Sequence, residues 1–240
     1  MSPSISHDRS QVWSYIVKVI IPAKSNSERV HNKNFCEFYQ GQSLFDIKIK
    51  QLLEVLPAGD IYVSSENPEV ENLTKKYGLQ FLPRTEHLTR NETPFAEVIT
   101  SLIGEIPGDD DVMWVTVTEP FFCEFEDCLR TWAAVREEHD SLVVVKPLTE
   151  FILDANGQPV NYQFGPWHLA SQFLPKWFSV PHALHIVKRD TIRRCNYIIG
   201  TSPKLYVSTS RSIDIDDEFD FRIAKELYEL VSVRVASQTP

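Results

Sequence analysis

Ile16-Val17-Lys18-Val19-Ile20-Ile21-Pro22-Ala23-Lys24-Ser25-Asn26-Ser27-Glu28-Arg29-Val30-His31-Asn32-Lys33-Asn34 is the stretch around which the chain is organised. The apolar run Ile16 to Ile21 predicts a strand covered on both faces, and Pro22 stops it. A polar loop follows that carries Lys24, Arg29 and Lys33, with small hydroxyl and amide side chains between the cations. Beyond it, Ser43 is a candidate cap for a helical segment. A buried strand feeding a cationic loop supplies what a polyphosphate needs: backbone N–H donors, fixed positive charge and a place at the carboxyl end of a strand. The loop is neither a Walker A sequence nor G-x-G-x-x-G, so a solvated loop with scattered lysines stands beside that reading.

The rest of the chain alternates strand and helix. Leu44, Ile47, Leu52, Val55 and Leu56 make a helical stripe that ends at Pro57, and residues 60–64 read as a strand. Asn67 and Gly78 bracket a second helix. Residues 79–82 form a third strand, 93–106 a helix, 112–117 a buried strand, 124–138 a helix and 141–145 another strand. This α/β rhythm predicts a doubly wound, mainly parallel sheet, with ligands beyond the carboxyl ends of its strands. The rhythm breaks over 146–180, a loop-rich stretch holding Phe164, Trp167, Phe173, Trp177 and Phe178, which reads as a lid or a partner-binding arm. Strands follow at 183–187 and 205–207. A last helix spans 217–231, with Phe219, Ile223, Leu227 and Leu230 at its apolar spacing. The expected organisation is a loose tail at 1–14 and one domain over 15–240 that carries the 146–180 insertion.

The chain has 240 residues and a net charge of −9, which argues against general nucleic-acid or acidic-membrane binding and makes a local basic loop stand out. No apolar run approaches the ~20 residues of a membrane span. Cys36, Cys123, Cys128 and Cys195 show no zinc spacing and read as reduced thiols of a cytoplasmic protein.

A second motif, Ser212-Ile213-Asp214-Ile215-Asp216, precedes the last helix. In extended backbone, residues two apart point the same way, so Asp214 and Asp216 converge. Two such carboxylates suit Mg²⁺, a hard cation usually held by one or two carboxylates plus substrate phosphates. A solvated turn with an N-cap aspartate is the alternative.

Together the two motifs resemble those of the acylneuraminate cytidylyltransferase family, which makes CMP-sialic acid and related CMP-sugars. The family's opening pattern reads roughly I-P-A-R-x-x-S-K-x-x-x-x-K-N. Pro22, Ala23, Ser27, Lys33 and Asn34 match it, Lys24 stands for the arginine, and Glu28 stands where a lysine is common. Lys204-Leu205-Tyr206 followed by S-I-D-I-D resembles the carboxyl-terminal block. The resemblance spans about residues 16–231, most weakly in the middle.

It implies a Rossmann-like nucleotidyltransferase fold and attack of a sugar-acid hydroxyl on the CTP α-phosphate, releasing pyrophosphate. Lys24 and Lys33 would hold phosphates, and Asp214 and Asp216 would place Mg²⁺. Ala23, Asn26, Ser27 and Asn34 would line the nucleotide pocket, and the insertion would build a homodimer contact. Arg84, in L-P-R-T-E-H-L, matches an R-x-x-x-L block near the cytosine and ribose; a surface arginine paired with Glu86 is its plain alternative. The expected substrates are CTP and a sialic, nonulosonic or ulosonic acid. Another sugar or nucleotide, or a non-catalytic subunit of the same fold, remains open.

The family's Q-P-T-S-P, or Q-G-D-E-P in the CMP-Kdo branch, is Thr116-Val117-Thr118-Glu119-Pro120 here, and a later asparagine-glycine is Pro181-His182. The nucleotide half of the site is therefore better supported than the sugar half. His182 and His185, three apart in an expected strand, should face opposite sides. His168, Gln172 and Lys176 are candidate contacts for a sugar carboxylate.

Overall fold

β1 (Val17–Pro22) lies inside an eight-stranded sheet, flanked by parallel partners on both sides: β4 (Ile61–Ser65) and β6 (Asp111–Val115). The computed structural model describes residues 17–25, 30–210 and 213–238, with side chains to residue 232. Val17, Val19, Ile20 and Ile21 are fully buried, as a strand covered on both faces requires. Lys18 interrupts the run and pairs with Asp60.

β5 (Gln80–Pro83) extends the parallel sheet beyond β4. The chain then crosses back to place β6 on the other side of β1, so the sheet's winding direction reverses between β1 and β6. Past β6 the order is β9 (Leu184–Val187), β7 (Ser141–Leu148) and β10 (Pro203–Val207). β9 is antiparallel to both its neighbours, and a short β8 (Trp177–Ser179) pairs antiparallel with the end of β7. The sheet is thus doubly wound and mainly parallel, as the strand–helix rhythm implied.

The helices form where local signals place them. α1 (Leu44–Leu53) begins with a reciprocal cap: the Ser43 hydroxyl accepts from the Asp46 N–H at 3.1 Å, and the Asp46 carboxylate accepts from the Ser43 N–H at 2.9 Å. Such a cap contributes about 1 kcal/mol. The helix stops at Leu53, short of Val55 and Leu56. α2 (Glu69–Tyr77) starts under Asn67, whose side chain accepts from the Glu69 N–H at 2.9 Å, and ends at Gly78 with φ +71°. α3 (Phe95–Gly104) and α4 (Phe125–Val135) fill the next two crossovers. Side chains alternate along the strands to two cores: Val17, Val19 and Ile21 pack with Phe45 and Trp132, while Ile20 packs with Ile99, Leu102 and Trp114.

Three departures from the sequence reading matter. A hairpin, β2 (Glu37–Tyr39) and β3 (Gln42–Ser43), turns through Gln40 and Gly41 at φ +47° and +74°. Its Gln-Gly turn is a weak signal compared with Asn-Gly. α5 (Arg189–Cys195) is also new, and Arg189 bonds the carbonyls of Ile103 and Ile106 at 3.0 Å each.

The third departure is the phase of α6 (Glu218–Gln238). Phe219, Ile223, Leu227 and Leu230 face solvent, and Phe221 and Ala224 are buried instead. Phe221 meets Phe38 edge-on, and Tyr228 contacts Phe38 and Tyr39 of the hairpin. The Asp217 and Asp220 caps fix where the helix starts, and the unforeseen hairpin supplies the surface that selects its buried face.

Phe221→Ala should lower the unfolding free energy by about 3 kcal/mol, whereas Phe219→Ala should change it by less than about 0.5 kcal/mol. Denaturant melts of the two variants measure this, and the reverse order would contradict the observed phase.

Candidate functional site

The carboxyl ends of the parallel strands form a rim, and the loop after β1 is tied to it by hydrogen bonds. The Ala23 N–H donates to the Ser64 carbonyl at 2.9 Å. Asn34 donates through Nδ2 to the Lys24 carbonyl at 2.9 Å, closing the loop on itself. Glu66, one residue past β4, accepts from both the N–H and the hydroxyl of Ser25 at 2.8 Å each. Its other oxygen pairs with Arg84 at 3.4 Å. Arg84 is buried, so its partner is Glu66 and not Glu86. Burial lowers its pKa, and Glu66 opposes that shift.

A cavity of about 700 Å³ lies at the winding reversal between β1 and β6, where ligands of such sheets bind; Ala23, expected in the nucleotide pocket, is fully buried and not part of its wall. Lys24, Lys33, Asn34 and Arg84 line it, as do Thr116 and Thr118 after β6. Trp114, Phe95 and Tyr197 supply apolar wall, and Phe95 meets both rings edge-on. Lys24 reaches across to the Asn91 side-chain oxygen at 3.3 Å. Asn34 Oδ1 and Arg84 Nε are buried with no hydrogen-bond partner among the described residues, an unusual state for a packed interior and a common one for a site that awaits a ligand.

The distal carboxylates come to the same rim. The Ile215 N–H donates to the Thr118 carbonyl at 3.0 Å, and the Lys33 ammonium donates to the Ile215 carbonyl. The segment holding Asp214 and Asp216 is therefore clipped between the β1 loop and the β6 loop. Desolvation raises the Asp214 pKa, and Asp216 pushes the same way, while the Thr118 hydroxyl, Lys33 and His182 oppose it. Asp214 and Asp216 lie outside the cavity wall proper and adjoin it through Thr118 and Lys33. Among the described residues no cluster of three or more His, Cys, Asp or Glu side chains could hold a metal alone. Two carboxylates near each other do fit a hard cation that completes its shell with phosphate oxygens. Asn26 and Ser27, also expected in the nucleotide loop, lie outside the described residues.

A family model described as cytidylyltransferase matches residues 18–158. The chain belongs to the cytidylyltransferase family. Solved structures share its fold at low identity. A CMP:2-keto-3-deoxy-manno-octonic acid synthetase complexed with CTP superposes with a TM-score of 0.65 at 10% identity, over 90% of this chain and 99% of that one. The 4-diphosphocytidyl-2C-methyl-D-erythritol synthase of Anaerococcus prevotii gives 0.61 at 12% identity, over 90% and 99%. HddC of Yersinia pseudotuberculosis gives 0.56 at 13%, over 88% and 99%. No curated protein matches the sequence.

The matched span of this cytidylyltransferase holds the β1 loop, Arg84 and the β6 loop; it ends before Asp214. Several groups at its rim escaped the sequence reading. Lys48 on α1 is fully buried and donates to the carbonyls of Glu119 and Phe122 at 2.8 Å each, fastening the Thr116–Pro120 block from behind. Desolvation lowers its pKa to about 7. Glu119 is also fully buried; it meets Lys146 at 3.4 Å, and burial raises its pKa to about 7.

His182 and His185 do not face opposite sides. The strand starts at Leu184, His182 has φ +56°, and the rings meet with Nδ1 of His182 3.1 Å from Nε2 of His185. His182 lines the cavity. His168 is outside the cavity wall and packs on Phe151 and Tyr162. All four cysteines are free thiols. No helix among the described residues is long and apolar enough to cross a membrane.

The folded protein keeps a proton on Glu119 that the unfolded chain releases near pH 4.5. This residue's contribution to stability should be complete below that pH and decline as the pH rises to about 7. Denaturant melts across that window should show Glu119→Gln losing this decline relative to the parent chain; parallel profiles would contradict the assignment.

Proposed function

We propose that this cytidylyltransferase transfers CMP from CTP to a sugar acid, a sialic acid or a related nonulosonic or ulosonic acid. The observation that carries the reading is the meeting of Lys33 with the 213–216 segment at the edge of a cavity on the winding reversal. The structural neighbour complexed with CTP supports the nucleotide, and its name supports an acid sugar as acceptor.

In this reading Lys24 and Lys33 neutralise the triphosphate, and Arg84 and Asn34 turn unpartnered polar atoms toward the nucleoside. Asn26 and Ser27 would contact the nucleotide, and Ala23 would lend backbone to the base pocket. The acceptor's hydroxyl oxygen bonds to the α-phosphorus as the bond to the bridging β-phosphate oxygen breaks. Pyrophosphate leaves, and the hydroxyl proton passes to solvent. Catalysis of this kind is chiefly positioning and charge neutralisation, and no nucleophilic side chain is required. Asp214 and Asp216 would hold Mg²⁺, which supplies charge neutralisation at the phosphates and a more acidic attacking hydroxyl. The two carboxylates' mutual repulsion favours a bound cation.

The assembly we propose is a homodimer through the 146–180 insertion, on which Phe164, Trp167 and Phe173 are more than half exposed.

With CTP, Mg²⁺ and a panel of nonulosonic and ulosonic acids, pyrophosphate release should follow at least one acid; release with none rejects the reading. Asp216→Asn should lower kcat/KM by about 100-fold or more with the melting temperature unchanged. CTP should raise the melting temperature more than UTP, GTP or ATP does, since selective binding stabilises the native state. Equal shifts would remove the nucleotide assignment.

A further inference from the structure

His182 reaches the rim only because β9 runs against its neighbours. Val115, the last residue of β6, pairs with Leu184, the first of β9, so the residues just before β9 emerge at the carboxyl edge of β6. Along that edge the order is β9, β6, β1, β4 and β5. His182 therefore lies at one end of the row, Lys24 follows β1 in the middle, and Arg84 follows β5 at the far end. Neighbouring strands are about 4.8 Å apart, so the row spans roughly 19 Å, room for a nucleotide and an acceptor side by side.

The conformation of His182 is held against its own preference. A non-glycine residue at φ +56° is strained, and such strain gathers at functional sites. Thr116 maintains it: its hydroxyl donates to the His182 carbonyl at 3.3 Å, and its N–H to the Ala183 carbonyl at 3.4 Å.

The ring is held as well. His185 is fully buried, and among the described residues its ring nitrogens have one partner, His182 Nδ1 at 3.1 Å; its own Nδ1 has none. Burial keeps His185 neutral, with a pKa lowered to about 3, so it has one N–H to place. On Nδ1 that N–H would be a buried donor without an acceptor, the costlier arrangement. On Nε2 it donates to His182 Nδ1. The His182 proton then sits on Nε2, which has no hydrogen-bond partner among the described residues, although the ring is near enough to Asp214 to act on its carboxyl electrostatically.

We propose that His182 is a specificity-determining residue that donates its Nε2–H to an anionic oxygen, a carboxylate, of the acceptor, and that His185 is the positioning residue that sets its tautomer. The acceptor's place rests on the proposed function: with phosphates at Lys24 and Lys33 and the nucleoside toward Arg84, the acceptor takes the β6–β9 end, beside Asp214.

The test has two arms. In full-length protein labelled with ¹⁵N-histidine, two-bond ¹H–¹⁵N spectra should show neutral His182 protonated on Nε2, and His185→Phe should let the Nδ1–H form appear. In turnover assays His182→Ala should raise the KM for the acceptor about ten- to a hundredfold, the loss of one hydrogen bond to a charged oxygen, with the KM for CTP within about twofold. His182→Gln, which carries an N–H donor at a similar reach, should recover most of that loss. Neutral His182 protonated on Nδ1, an unchanged acceptor KM, or equal effects on both substrates would overturn the proposal. A parent enzyme without turnover would reject the proposed function instead, and the tautomer would then decide this inference alone.

Discussion

One clip organises the site. The Ile215 N–H bonds the Thr118 carbonyl at 3.0 Å, and Lys33 bonds the Ile215 carbonyl, so a single residue joins the loops after β1 and β6 to the segment before α6. Both backbone groups of Ile215 are satisfied within protein, and its side chain is fully buried. The clip orients its neighbours: with Ile215 turned inward, Asp214 and Asp216 turn outward together. Residue alternation in extended backbone thus converts one buried isoleucine into a pair of exposed carboxylates. Lys33 both anchors the segment and favours the ionised form of Asp214 against the desolvation that raises its pKa.

Buried ionisable side chains maintain the rim around that clip. Lys48 and Glu119 are removed from water and hold a loop, not a ligand. An ammonium between two carbonyls 2.8 Å away fixes the Thr116–Pro120 block far more firmly than apolar contact would. Glu66 acts likewise on the other side, accepting from Ser25 and pairing with Arg84. Both devices place the cavity's polar atoms with little freedom, the pre-organisation on which electrostatic catalysis depends.

Legibility in the sequence follows the range of the interactions concerned. The α1 cap, the Asn67 and Gly78 brackets and the buried β1 are contacts within a few residues, and each was readable. The phase of α6 was not, because Phe38 of the hairpin selects Phe221 over the equally apolar stripe at Phe219 and Ile223. Lys48 was unreadable for the same reason: a lysine in an amphipathic helix looks solvated until the loop that covers it is known. His182 and His185 were misplaced because a three-residue spacing within a strand separates side chains, whereas a left-handed residue ahead of the strand brings them together.

By itself the sequence determined the α/β class, the cationic loop after the first strand, and the pair of aspartates ahead of the last helix. These rest on hydrophobic period and on neighbouring residues, which operate locally along the chain. Only the tertiary structure decided that Lys33 meets the 213–216 segment, that Arg84 answers to Glu66, and that an antiparallel β9 carries His182 to the rim. Those outcomes depend on strand order and direction, and contacts between residues as far apart as 33 and 215 leave no periodic trace in either segment.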